Sequence, residues 1–163
     1  MIETLFETYS LSASDMAIRL VLAAFLGLLL GLDRDYKNKP IDFRAYMFIC
    51  LGASGLGILT LEVGYMMQFY ADTLKFDVAK VVAGVLTGIG FVAAGAIIKQ
   101  GSADVTGTAT GTSIWVSGCI GLFCGFGLFL PAIMITIIVL FTLIGFGVIR
   151  KKITGESDKE PSD

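Results

Sequence analysis

Apolar residues along the chain gather into five long runs separated by short polar breaks. They fall at about 16–32, 43–61, 78–98, 108–126 and 130–149, and each approaches the roughly 20 residues a helix needs to cross a bilayer. Ser14 and Asp15 precede the first run as N-cap residues, and Pro131 falls in the first turn of the last, where proline is tolerated. The pattern predicts an all-α, polytopic membrane helix bundle of about five spans over 1–150, followed by a short polar tail over 151–163. Glu62 to Phe76 form the longest connection, expected as a short interfacial helix or an extension of the second span.

Composition agrees: 55% of residues are hydrophobic and 16% charged, against about 25% charged in soluble domains. Acidic Glu3, Glu7 and Asp15 precede the first run where a signal peptide carries positive charge, so it reads as a span that is kept. Nine Lys/Arg residues fall on one side of the predicted topology (34, 37, 39, 44, 99, 150, 151, 152 and 159) and three on the other (19, 75 and 80). The basic side is expected to be cytoplasmic, which puts the N-terminus outside and the C-terminus inside. A net charge of −2 with no basic stripe argues against nucleic acid as a partner.

The segment AGVLTGIGFVAAGAIIKQG, from Ala83 to Gly101, resembles a phosphate loop in its glycines alone. Gly88, Gly90 and Gly95 do not make the dinucleotide spacing, and no Gly-Lys-Ser/Thr follows. Glycines four apart at Gly27/Gly31, Gly84/Gly88, Gly107/Gly111 and Gly121/Gly125 instead suit close helix packing in lipid. Gly90, Phe91 and Gly95 are read with them as packing positions. Such pairs point to a tight bundle and to a homo-oligomer.

Chemistry-bearing residues are few. There is no histidine, and no Ser/Lys or paired-Asp constellation falls within the spans, so an enzyme is not expected. Cys50, Cys119 and Cys124 lie in apolar runs without zinc spacing and read as small buried hydrophobes. The fourth run opens with hydroxyls at Thr106, Thr108, Thr110, Thr112, Ser113 and Ser117, which either bond back to their own helix or line a polar path. Trp115 either packs among the spans or stiffens this segment.

Charges form two clusters, one of Asp15, Arg19, Asp77 and Lys80, the other of Asp33, Arg34, Asp35, Asp42 and Arg44. Asp15/Arg19 and Asp77/Lys80 have helical spacing for local ion pairs. Such groups either anchor the helices at the interface or act on ions. In the second reading Asp33, Asp42 and Asp77 contact a hydrated cation such as Mg2+, which needs only one or two carboxylates, and Arg34 and Arg44 bind an anion or lipid phosphate.

Three blocks in order, RLVLAAFLGLLLGLDRD, FDVAKVVAGVLTGIGFVAAGAIIKQG and VTGTATGTSIWVSGCIGLFCGFGLFLPA, resemble those of the MgtC/SapB bacterial membrane proteins. Asp33 stands where Glu is usual and Lys80 where Arg is usual. The resemblance carries over Asp33, Arg34, Arg44, Asp77, Lys80, Gly88, Gly90, Phe91, Gly95, Thr110, Trp115 and Cys124. It implies a multi-pass protein of the bacterial inner membrane, linked to magnesium homeostasis and stress adaptation in a virulence-associated family. With the glycine-rich helices, the resemblance implies a protein that regulates another membrane complex, such as the ATP synthase, by helix–helix contact. The alternative is an oligomeric transporter or channel for magnesium or another small ion. No cofactor is expected beyond Mg2+ as ligand or substrate.

Overall fold

Five helices account for most of the chain: α1 (Ala13–Tyr36), α2 (Phe43–Tyr70), α3 (Val78–Gly95), α4 (Thr108–Gly125) and α5 (Phe129–Thr154). They come from a computed structural model that describes residues 10–36, 42–70, 77–100 and 104–154. The helical class expected from the apolar runs holds. Among the described residues three of these helices are long and apolar enough to cross a membrane: α1, α2 over Phe43–Gln68, and α3. The polar tail beyond 154, and residues 71–76 of the expected outer segment, lie outside the described residues.

Several boundaries differ from the hydropathy reading, each for a local reason. α1 begins at Ala13, ahead of the expected cap. Ser12 accepts the Asp15 N–H at 3.2 Å and donates to its carboxylate at 2.6 Å. That arrangement holds the first-turn amides in a cap. The helix also runs past Leu32, through Asp33 and Arg34 to Tyr36. α2 continues through Glu62 to Tyr70, the extension of the second span. α3 stops at Gly95, and the next residues form an antiparallel ribbon, β1 (Ile98–Gln100) against β2 (Asp104–Thr106), with Lys99 opposite Val105. Hydropathy carries the third run through Ile98 and reads the rest of this ribbon as a connection, because three-residue strands are too short to show a period.

Consecutive helices alternate in direction. The end of α1 meets the start of α2, where a methyl group at Gly31 would lie 2.6 Å from Phe43 Cα. Gly27 sits against the Tyr46 carbonyl, Gly111 against that of Ala93, and Gly121 and Gly125 against Cys50 and Ser54 of α2. α4 is the enclosed helix, with buried residues on most of its circumference from Thr110 to Gly125. Shielded by protein rather than lipid, it tolerates the hydroxyls that lower its apolarity.

Two glycines take left-handed backbone. Gly107, φ 82°, turns the chain from the ribbon into α4 and sits outside the helix as its N-cap, so it does not pair with Gly111 on a helical face. Gly127, φ 77°, closes α4: Leu128 N–H donates to Phe123 O and Gly127 N–H to Cys124 O, the Schellman pattern.

The expected packing role is absent from α3 within one protomer. Among the described residues, a methyl group at Gly84, Gly88 or Gly95 would meet nothing within 4 Å, and one at Gly90 only the Trp115 ring at 3.9 Å. Phe91 is 84% exposed. α3 rests chiefly on α4 and only lightly on α2, so among the described residues the face carrying Gly84 and Gly88 is left open along a groove beside α2.

This contrast sets an expected outcome. Gly31→Ala forces Phe43 backbone to move and lowers stability by about 1–3 kcal/mol. Gly84→Ala gains helix propensity and stays within about 1 kcal/mol of the parent. Thermal unfolding of both variants in detergent checks this, and equal losses would refute the assignment of Gly31 to packing and Gly84 to an open face.

Candidate functional site

The buried face of α4 carries a line of polar groups where it meets α1 and α2. Thr110, Ser113 and Ser117 recur at helical spacing and are all buried. Ser113 and Ser117 donate back to the carbonyls of Thr110 and Ile114, at 2.8 and 2.6 Å. They also have partners across the interface: Tyr46 OH lies 3.0 Å from Ser113 Oγ, and the Cys50 thiol donates to Ser117 O at 3.0 Å. Further along, the Ser54 hydroxyl is buried beside the Gly125 contact with no hydrogen-bond partner among the described residues.

An arginine stands at each end of this seam. Arg34 is only 4% exposed. It lies on the same stripe of α1 as Ala23, Leu26, Gly27, Leu30 and Gly31, so the helical repeat carries it into the core. Its Nη2 donates to Thr110 Oγ1 at 2.6 Å, while its Nε is buried without a partner among the described residues. No carboxylate forms an ion pair with it among the described residues. At the other end, Arg19 Nη1 donates to Gly125 O at 2.6 Å, filling a carbonyl that the end of α4 leaves open. A cation there also complements the helix dipole.

Arg19 therefore does not form the expected local pair with Asp15, which is engaged by Ser12. The second local pair is present: Lys80 Nζ lies 3.8 Å from Asp77. Asp77 is also the N-cap of α3, accepting from the N–H groups of Ala79 and Lys80. Asp42 caps α2 in the same manner through Arg44 N–H, and its carboxylate pairs with Arg44 Nε at 3.4 Å. The Arg44 guanidinium lies over the Phe43 ring.

The expected cation contacts are not gathered into one site. Asp33 and Asp42 belong to the Arg34 end of the bundle, and Asp77 begins α3 at the opposite end. No group of three His, Cys, Asp or Glu side chains able to hold a metal occurs among the described residues. Alternation of the helices separates these carboxylates along the lines of the two charge clusters in the sequence. Trp115 is 42% exposed on the outward side of α4, whereas Cys124 is fully buried.

Residue patterning missed Tyr46, Ser54 and Glu62. Glu62 accepts from Ser10 N–H and Oγ and from Leu11 N–H at 2.8 Å, tying the far part of α2 to the approach of α1. An acidic residue near the end of an apolar run was the available signal. Tyr46 and Ser54 lie in a stripe with Cys50 on α2, visible only once the helix is phased.

The fold and its apolar helices define a helical membrane protein with a polar interior seam. Residues 20–152 match the model of the MgtC family, and the chain belongs to that family. It is 26% identical over 129 residues to Protein SapB of Bacillus subtilis, covering 79% of this chain and 55% of that one. It is 30% identical over 116 residues to the protein named "Putative magnesium transporter YhiD" of Escherichia coli K12, covering 71% and 53%. It is 29% identical over 123 residues to Protein MgtC of Salmonella typhimurium LT2, covering 76% and 48%. The chain thus spans about half the length of these curated relatives. No solved structure matches it.

The seam predicts an order of sensitivities. Thr110→Val removes the hydrogen bond to a buried guanidinium and costs about 2–3 kcal/mol, while Tyr46→Phe removes a neutral one and costs about 1 kcal/mol. Chemical denaturation of the two variants in detergent measures the order; a larger loss for Tyr46→Phe would contradict it.

Proposed function

We propose that this protein is a multi-pass component of the bacterial inner membrane, linked to magnesium homeostasis and stress adaptation, that regulates a larger membrane complex by helix–helix contact. Its N-terminus faces out and its C-terminus in, following the excess of Lys/Arg at the Arg34 end. The observation that carries the reading is the open face of α3. Among the described residues nothing lies over Gly84, Gly88 and Gly95, while the glycines of α1 and α4 are already used inside the bundle. In lipid, small residues on an uncovered helix provide the close approach that drives association. The polar seam supports the same reading, since Arg34 and Arg19 stand at its two ends and repel a cation moving along it.

The name of the Escherichia coli relative favours a second reading, an oligomeric transporter of magnesium or another small ion. There the α3 faces of several copies meet around a path that no single protomer contains.

Two measurements separate the readings. Proteoliposomes of the purified protein are expected to show magnesium flux no greater than protein-free vesicles, beside a working magnesium channel. Cysteine crosslinking from Gly88→Cys in native membranes is expected to capture a second, different membrane protein. Protein-dependent flux, with crosslinks only to further copies of this chain, would replace the regulator by the transporter.

A further inference from the structure

Arg34 presents an unusual electrostatic arrangement. Its guanidinium keeps its charge in proteins, and its burial removes most of the water that would otherwise solvate it. Among the described residues its side chain has one hydrogen bond, to the neutral Thr110 hydroxyl, and its Nε has none. The carboxylates near it in sequence are directed elsewhere or lie outside: Asp42 pairs with Arg44, Asp35 is exposed, and Asp33 is half-buried with a contact of its own.

The same guanidinium is aimed at the first turn of α4, an 18-residue helix. That turn has an N-cap glycine and no side-chain cap, although Ser, Thr, Asp or Asn is preferred there. Gly111 N–H is the first to close the helical ladder, onto Gly107 O at 2.8 Å. The N–H groups ahead of it, on Thr108, Ala109 and Thr110, have no partner within the helix. They present the positive end of the α4 dipole beside a buried cation. Thr108 and Ala109 are exposed, so the turn opens at the end of the bundle. Two positive features converge there without a carboxylate paired to Arg34 among the described residues, and an anion would relieve both.

The geometry points to an oxyanion site formed by the Arg34 guanidinium, the Thr110 hydroxyl and the first-turn amides of α4, which takes a phosphate group. Arginine offers phosphate a planar fork of donors, and uncapped amides at a helix N-terminus complete its recognition. The phosphate comes either from solution or from a lipid headgroup of the adjacent leaflet; both present the same oxygens. The site is independent of whether the protein regulates or transports.

The test uses the full chain purified in a non-ionic detergent. Its thermal midpoint is followed while inorganic phosphate is titrated at constant ionic strength against chloride. In parallel, the chain is placed in phosphatidylcholine nanodiscs with and without phosphatidic acid. A saturable rise of about 5 °C with one of these phosphates, and none with chloride, is expected. A response to inorganic phosphate assigns the dissolved source, and a response to phosphatidic acid alone assigns the lipid. Arg34→Gln is expected to lose the response. Thr110→Asp places a carboxylate beside Arg34, and is expected to raise the midpoint without phosphate and abolish the response. It keeps the test decisive if Arg34→Gln does not fold. No rise in the parent with either phosphate, or an undiminished rise in Thr110→Asp, would overturn the assignment.

Discussion

Close approach between α4 and its neighbours underlies the rest of the bundle. Gly121 and Gly125 bring α4 onto the backbone of α2, and Gly27 and Gly31 bring α1 onto the same helix. At that separation short side chains reach across: Tyr46 to Ser113, Cys50 to a carbonyl of α4, Arg34 to Thr110. Lipid is as apolar as leucine, so burying apolar area does not by itself hold these helices together. Dispersion contacts at the glycines and hydrogen bonds along the seam do so. Larger residues at these positions would separate the helices and leave hydroxyls with their own backbone as the sole partner.

The seam also gives the bundle its polarity. Arg34 occupies the core stripe at one end of α1, while Arg19 reaches the carbonyl end of α4 at the other. The second is satisfied by a helix terminus of complementary sign. The first meets the helix terminus of its own sign. This difference in electrostatic satisfaction makes the Arg34 end the place where a ligand changes the energy of the fold.

α3 differs from the other helices. It has a well-formed Asp77 cap and touches α4 closely at Ala93 and Ile89, yet Gly84 and Gly88 line an open groove beside α2 instead of packing against it. The fold of one chain therefore uses one set of small residues and leaves a second set uncovered. Both sets belong to the same sequence motif class, and their opposite fates depend on which face of each helix turns inward.

The sequence by itself determined the helical class, the number of helices and the place of Pro131 in the first turn of α5. These follow from hydropathy over long runs and from residues whose preferences act within one turn. It also marked Arg34, Thr110 and the close-packing glycines as special through family resemblance and spacing. Only the tertiary structure decided which charges meet. Asp15 and Arg19 are four apart, yet Arg19 turns to Gly125, because a buried carbonyl offers more than an exposed carboxylate in water. The linear charge clusters already set Asp77 apart from Asp33 and Asp42, and helix alternation keeps them at opposite ends. Glycine spacing could not distinguish Gly121, against α2, from Gly88, against nothing. The four-residue repeat fixes which residues share a face, and the phase of that face toward its neighbours is set by contacts distant in the chain.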